Sequence, residues 1–468
     1  MEGYAQVCFE DPNCPATFIA DPEAIKEMTR PKAPFIQDSK AVQKLFGTYG
    51  PSLVILEGDE WKRHRRITQK AFSEENAKLV WSESVLVMEK LFEKWDSQNG
   101  REVHVPQITT ITEALALMVI SSAALGQRMS WDDDSNKKTP PGYTISFQQA
   151  ITIVARTVLT RALTPSWAEG WSEATQTMAT GFRQFGRYMQ DMATIYRRKG
   201  TLDQDLTGTE ALAQAPTDTL FEIIMAASEG ETPGDGKAFT DREAMGNIFL
   251  FLMAGHETTA HALAFSLGLL ALHPEVQNEV YAQIKQTLGS RQRLEYSDMN
   301  DLKLATGTLL ESLRMYPVAL RIAKLVAEDS VLTVARNGPG TDESMREKIF
   351  LPAGSRAVIA VTAVHYNPQY WPEPEEFRPA RFTDSYNRDA FLAFGVGRRA
   401  CIGRKFAETE GAAVLATILS KYEILVDHTK FQTIPGESLQ AHRERLLRPN
   451  YHITIAPENL PLVFKRRA

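Results

Sequence analysis

The stretch Phe394-Gly395-Val396-Gly397-Arg398-Arg399-Ala400-Cys401-Ile402-Gly403 sets a cysteine behind a glycine-rich turn, where a helical run from Gly403 to Lys421 begins. Backbone N–H groups and the positive end of a helix dipole stabilise a thiolate in such a position, and a thiolate can bind iron. The glycines permit a tight loop against a flat cofactor, Phe394 can cover the sulfur, and Arg399 can meet a carboxylate on that cofactor. A lone cysteine is more often a buried, inert thiol. Gly395 to Ala400 also satisfies G-x-G-x-x-A, a loose dinucleotide-binding fingerprint. That fingerprint needs a βαβ unit, whereas a single long helix follows here, near the end of a predominantly helical chain.

Phe394, Gly397, Arg399, Cys401 and Gly403 occupy every fixed position of F-x-x-G-x-R-x-C-x-G, and on them the chain resembles the cytochrome P-450 family. The resemblance implies a mainly α fold with small β-sheets (α+β), formed as one haem-thiolate domain over residues 1–468 with a long central helix over the haem. It implies haem b, iron protoporphyrin IX, with Cys401 as proximal iron ligand, whose thiolate pushes electron density toward the iron.

A second block, Ala254-Gly255-His256-Glu257-Thr258-Thr259, interrupts the most apolar part of the chain, Ile248 to Leu272. That part is long enough to suggest a membrane span. His256, Glu257 and His261 in its middle would each be costly in lipid, so it reads as a helix buried in protein. Ala254 and Gly255 would let the helix open beside a ligand, while Glu257 and Thr258 supply an acid and a hydroxyl where a core should be apolar. A polar patch satisfied by neighbouring helices is the plainer reading. The block resembles the family's A/G-G-x-D/E-T-T motif, which implies that Thr258 hydrogen-bonds dioxygen and Glu257 relays protons to it. His256 and His261 are five apart, off the i, i+4 spacing of a ligand pair on one helix face.

Glu311 and Arg314 stand at i, i+3, ordinarily a surface ion pair. In the resembled family this E-x-x-R pair is buried and locked by a later arginine, which corresponds here to Arg381; Ala380 replaces the usual glutamate of that later motif. His365, in His365-Tyr366-Asn367-Pro368, corresponds to a structural hydrogen-bonding residue. Trp61 and Arg65 form W-x-x-x-R, and Arg321 follows Pro317. An arginine is exposed by default, but the resemblance assigns all three to the haem propionates. Val318, Ala319, Leu320 and Ile322 supply apolar surface for a substrate, equally suited to a terpenoid, steroid, fatty acid or polyketide.

The 468 residues are 43% hydrophobic and 24% charged, an ordinary globular composition that excludes a toxin, zinc finger or peptide hormone. Fifty-two basic against 58 acidic residues give a net charge of -6, which argues against a nucleic-acid partner. Cys8, Cys14 and Cys401 allow at most one disulfide. Met1 to Ala20 has no basic start followed by an apolar stretch, so it forms no signal peptide or anchor. Eukaryotic family members place an anchor, a proline-rich hinge and the opening of the first sheet ahead of W-x-x-x-R, and Trp61 arrives too early for these. The chain is therefore expected to lack its anchor and the start of the first sheet and to be soluble as it stands, the full-length protein residing on the cytosolic face of the endoplasmic reticulum membrane.

Along the chain, helices are expected over Glu60–Phe72, Glu74–Trp95, Ser146–Leu163, Ala174–Arg198, Asp218–Glu229, from Asp241 behind an N-cap at Thr240, Pro274–Gly289 and Ser297–Met315. Strand-like pieces are Ala16–Ala20, Ala323–Leu332, Arg356–Val361 and Tyr451–Ala456. Gly200 to Pro216 and the insert around Asn337-Gly338-Pro339-Gly340 read as surface connections.

The expected activity is a monooxygenase of secondary metabolism, membrane-associated, inserting one oxygen atom from O2 into a lipophilic small molecule. Nothing after the cysteine motif can hold a flavin or nicotinamide, so NADPH would act only through a separate flavin-containing cytochrome P-450 reductase, approaching near Arg398 and Arg404. The chain is expected to be a monomer. The alternatives are a haem-thiolate isomerase or dehydratase, against which the Glu257–Thr258 pair argues, and a non-catalytic haem-binding relative.

Overall fold

The computed structural model describes residues 6–11, 14–97, 101–132, 139–201, 219–229, 238–335, 346–451 and 453–467. In chain order its helices are α1 (Pro22–Met28), α2 (Ser39–Phe46), α3 (Gly58–Gln69), α4 (Glu74–Ser97), α5 (Ile108–Leu125), α6 (Phe147–Leu163) and α7 (Glu173–Thr201). They continue as α8 (Leu220–Glu229), α9 (Asp241–Leu272), α10 (Pro274–Leu288), α11 (Lys303–Met315), α12 (Val361–His365), α13 (Arg404–Lys421) and α14 (Leu439–Leu446). The fold is mainly α with small sheets. The surface connection expected at Gly200 to Pro216 falls mostly outside the described residues, as does the insert around Asn337.

The boundaries follow from capping chemistry. Thr240 and Glu243 form a capping box at the start of α9: the Glu243 N–H donates to Thr240 Oγ1 at 3.3 Å and the Thr240 N–H to Glu243 Oε2 at 2.8 Å. Ser146 and Gln149 do the same for α6. Pro274 at the first position of α10 and Gly289 after its last fix that helix at both ends. The helix expected over Ser297–Met315 is broken: a 3-10 turn at Tyr296–Asn300 precedes α11. Asp298 causes the break, since its carboxylate accepts the Glu295 N–H at 2.8 Å and a two-pronged contact from Arg291, which ties the turn back to the preceding loop.

Two compact units are formed, each from several chain segments: residues 1–38, 84–116 and 257–468 in one, 39–83 and 117–256 in the other. In the first, a five-stranded sheet runs β1 (Gln6–Asp11), β2 (Cys14–Ile19), β8 (Arg356–Ala360), β5 (Arg321–Val326), β3 (Phe35–Ile36) in that order. β1 and β2 form an antiparallel hairpin and β2 pairs in parallel with β8. The sheet thus takes three of its five strands, β1, β2 and β3, from ahead of Trp61, where the opening of the first sheet was expected to be missing. The single strand expected over Ala323–Leu332 is divided between β5 and β6 (Ser330–Ala335), and β6 pairs with β7 (Arg346–Leu351) in a separate hairpin. A three-stranded sheet joins β4 (Glu102–Val105), β12 (Leu462–Arg466) and β9 (Tyr422–Val426). Phe92, Trp95, Tyr422 and Phe464 interlock beside it, with ring centroids 5.0–5.3 Å apart for the closest pairs. The tail expected at Tyr451–Ala456 is a hairpin of β10 (Pro449–Tyr451) and β11 (Ile455–Pro457).

In the second unit, Tyr49, Phe182, Phe185 and Phe249 form the aromatic centre. Two helices, α5 and α9, are long and apolar enough to cross a membrane, but 78% of the apolar window of each is buried inside the protein. Both read as core helices, since protein covers most of the apolar window of each.

Candidate functional site

The cysteine loop is built on two backbone reversals. Gly395 and Gly397 have φ of 67° and 69°, a region glycine enters at no steric cost. The Gly395 N–H donates to Leu392 O at 2.8 Å, the Ala400 N–H to Gly397 O at 3.1 Å, and the Cys401 N–H to Phe394 O at 2.7 Å. The last bond closes the loop and brings Cys401 back to Phe394. Cys401 is exposed and precedes Gly403, the N-cap of α13, by two residues. At Gly397 a Cβ would lie 2.7 Å from Thr29 Cβ, so the loop can pack against the end of α1 only without a side chain there. The Arg404 guanidinium lies 5.2 Å from the centroid of the Phe394 ring, and its Nε donates to Glu408 at 2.7 Å. Arg399 is half-buried in the loop.

Behind the loop lies a buried polar network. Glu311 and Arg314, on adjacent turns of α11, are both fully buried. Arg314 Nε and Nη2 donate to the two carboxylate oxygens of Glu311 at 2.7 and 2.9 Å, and Arg381 Nε donates to Glu311 Oε1 at 3.1 Å. The two guanidiniums are also satisfied by carbonyls: Arg314 by His365 and Pro374, Arg381 by Pro372 and Glu373. The Arg381 bond needs no help from position 380, where Ala380 stands. His365 Nδ1–H donates to Arg314 O at 2.9 Å, and its Nε2 accepts the Leu392 N–H at 2.8 Å. Burial, then the Arg314 charge, push the His365 imidazole down to about 3, so it is neutral with its proton on Nδ1. A continuous set of hydrogen bonds therefore runs from Glu311 through Arg314, His365 and Leu392 to Gly395.

On α9, Glu257 and Thr258 are half-buried and Ala254 is exposed, although the helix around them is mostly buried. Gly255 faces Ile120, whose Cδ1 would lie 2.8 Å from a Cβ there. His256 Nδ1 bonds its own helix at Leu252 O, so it is a satisfied core histidine. Glu257 Oε1 accepts from Thr454 Oγ1 at 2.8 Å and from the Thr454 N–H at 3.3 Å. Thr454 lies about two hundred residues away in the β10–β11 turn and carries no sequence signal.

Among the apolar candidates, Val318 is buried, Leu320 and Ile322 are half-buried and Ala319 is exposed. Ile322 Cδ1 would lie 3.7 Å from a Cβ on Gly395, so β5 packs against the cysteine loop. Arg321, the first residue of β5, is exposed.

In the second unit, α3 presents Trp61, buried, and Arg65, half-buried, around a depression that Lys62, Arg66, Gln69 and Lys70 complete. The helix is fixed by residues that sequence reading overlooked. Arg63 pairs with Glu60 and Glu243, His64 Nε2 lies 3.2 Å from Glu243 Oε1, and Asn247 meets His64 Nδ1 at 3.0 Å while accepting the Leu53 N–H. Burial would raise the Glu243 carboxyl, but hydrogen bonds from Arg63, Thr240 and His64 take it down to about 2. Glu60, His64 and Glu243 could group around a cation, yet the Arg63 guanidinium already fills that role.

The loop and its donor fit a haem: a single exposed thiol follows two left-handed glycines, with Phe394 and Arg399 beside it. The Cytochrome P450 family model matches residues 6–449. Cytochrome P450 monooxygenase 124 of Postia placenta is 37% identical over 461 residues, covering 97% of this chain and 84% of that protein. Human cytochrome P450 4F2 is 28% identical over 92% of this chain and 80% of its own length. The crystal structure of the cytochrome P450DA heme domain superposes with a TM-score of 0.73 at 23% identity, covering 97% of this chain and 88% of that one, which shows the shared fold. With a family match over nearly its whole length, the chain belongs to the cytochrome P450 family and is a P450 monooxygenase.

Proposed function

We propose that residues 1–468 act as one haem-thiolate module that inserts one oxygen atom from O2 into a lipophilic small molecule, the second oxygen leaving as water. The observation that carries this reading is the exposed Cys401, held in a loop closed by its own N–H on Phe394 O. Cys401 would hold the haem iron, with Phe394, Gly397 and Gly403 shaping the loop, Ala254 and Gly255 facing the ring, and Arg399, Arg321, Arg65 and Trp61 meeting its carboxylates. When bound, the haem supplies the iron at which dioxygen is activated. Glu257 and Thr258 deliver protons; the carboxylate exchanges them and the hydroxyl passes them on. Glu311, Arg314, Arg381 and His365 hold the loop and touch no reactant.

Val318, Ala319, Leu320 and Ile322 are assigned to the substrate, whose class their apolar surface fits. Electrons come from NADPH through a separate flavin-containing reductase, docking by basic residues that include Arg398 and Arg404, both exposed. Attachment to the cytosolic face of the endoplasmic reticulum membrane, a monomeric state and a place in secondary metabolism belong to the same proposal. The test is the carbon-monoxide difference spectrum of the reduced protein beside that of Cys401→Ser. A strongly red-shifted Soret band, lost in the variant, is expected, followed by oxygen-dependent product formation with a reductase; haem binding without that band would overturn thiolate ligation.

A further inference from the structure

Glu257 is the inner end of a chain of side chains that leads out to solvent. Its Oε1 accepts the Thr454 hydroxyl at 2.8 Å. With its hydrogen given to that carboxylate, Thr454 Oγ1 must act as acceptor toward its other neighbour, His261 Nδ1, at 2.7 Å. This geometry sets the tautomer: Nδ1 carries a proton and donates it to Thr454. On the far side of the ring, Nε2 lies 3.6 Å from Glu113 Oε1, a gap that a small rotation of Glu113 closes. His261 is 2% and Thr454 7% exposed, whereas the Glu113 side chain is 43% exposed. Two buried polar groups with no evident packing purpose thus connect a carboxylate inside to a carboxylate at the surface. Glu257 and His261 stand at i, i+4 on one face of α9, so the helix aligns two members and the β10–β11 turn inserts Thr454 between them.

The geometry points to a proton relay from Glu113 through His261 and Thr454 to Glu257, an inference that rests on the proton-delivery role assigned to Glu257 above. The step balances without any co-reactant. Glu113 takes a proton from water and gives it to His261 Nε2; Nδ1 releases its proton to Thr454 Oγ1, and Thr454 releases its own to Glu257 Oε1. Reorientation of the hydroxyl and return of the imidazole proton to Nδ1 restore the chain. No bond to carbon forms or breaks and no electron moves. His261 and Thr454 are relay residues, acting through Glu257.

The first test needs no turnover. In the holoprotein, reduced and CO-bound, nitrogen-15 NMR of labelled histidine, with His261 assigned by its loss in His261→Gln, is expected to show the Nδ1–H tautomer or the doubly protonated ring. Thr454→Val should shift that signal. A neutral Nε2–H tautomer would overturn the relay, because Thr454 would then donate to His261 and leave Glu257. The second test is coupling. Glu113→Gln and His261→Gln should each lower product per NADPH by about tenfold, less than the ~10²–10⁴-fold of a group that itself exchanges a proton with the reactant, raise peroxide and enlarge the solvent isotope effect. Glu113→Asp should restore coupling, which a purely structural role would not require. Glu113 is part-exposed, so its variants remain informative if His261→Gln folds poorly. Unchanged coupling in Glu113→Gln, with the thiolate spectrum and oxygen-dependent product intact, sinks the relay alone; loss of spectrum and product in the wild type sinks the monooxygenase reading instead.

Discussion

His365 Nε2 accepts the backbone N–H of Leu392 at 2.8 Å, and the carbonyl of the same Leu392 accepts the Gly395 N–H at 2.8 Å in the cysteine loop. A histidine that must stay neutral to accept this bond couples the cysteine loop to pH. Its imidazole titrates near 3 in the folded protein and near 6.5 when unfolded. Between those values the unfolded chain holds a proton that the folded one does not, so stability is present above pH 6.5 and is lost as pH falls. From pH 7.5 to 5 this one group should remove about 2 kcal/mol. Denaturant midpoints at both pH values check it: His365→Asn should be less stable at pH 7.5 yet lose less on acidification, and an equal loss would acquit His365.

The Glu311–Arg381 bond joins residues seventy apart in sequence, in a site from which water is excluded. Removing one member leaves a buried charge unpaired, at a cost of about 3–5 kcal/mol. Arg381→Met should therefore unfold at markedly lower denaturant, and haem retention should fall with it because Glu311 also holds the Arg378 N–H at 3.1 Å. Arg381→Lys keeps the charge but not the fork to Pro372 and Glu373, and should fall between. Wild-type stability in Arg381→Met would remove the trio from the account.

What sequence could convey divides along the same line. The turn Phe394 to Gly403 was legible because its information is local: glycines where φ is positive, a cysteine before a helix, an arginine within the loop. α9 announced itself by Thr240 and an apolar run with an acid in its centre. The links that hold these pieces were not legible, because His365 and Leu392, or Glu257 and Thr454, meet only through the fold. The i, i+4 spacing of Glu257 and His261 stands in the sequence, but its use depends on Thr454, which reaches both side chains only through the fold. Nor does the apolar alternation of Ala323 to Leu332 say where one strand leaves its sheet; the Ala327 N–H bonds Pro34 O and β6 turns away to pair with β7.

Glu410 lies fully buried in α13, and its Oε1 has no hydrogen-bond partner among the described residues. Burial raises its carboxyl well above the usual value, so it is held neutral. A raised carboxyl contributes stability below its unfolded value, near 4.5, that is lost as pH rises toward the folded one. Glu410→Gln keeps the shape and abolishes this dependence. The variant's melting temperature relative to wild type should therefore be higher at pH 8 than at pH 5; a difference that does not change with pH would mean the carboxyl is ionised in place.

Gly397 tests how closely the cysteine loop is matched to α1. Its φ of 69° disfavours any other residue, and a Cβ would meet Thr29 Cβ at 2.7 Å and Thr29 O at 2.9 Å. The backbone term alone costs about 1–3 kcal/mol, and Thr29 cannot yield freely because its hydroxyl bonds Ile25 O at 3.0 Å. Gly397→Ala should lose more than that, while Gly436→Ala, with a φ of 78° and nothing within 4 Å of a Cβ, should show the backbone cost without the collision. Combining Gly397→Ala with Thr29→Gly removes the side chain but leaves Thr29's carbonyl in place, so only part of the loss should return. Recovery to the level of Gly436→Ala would mean that side-chain contact, not backbone approach, sets the distance between α1 and the loop that presents Cys401.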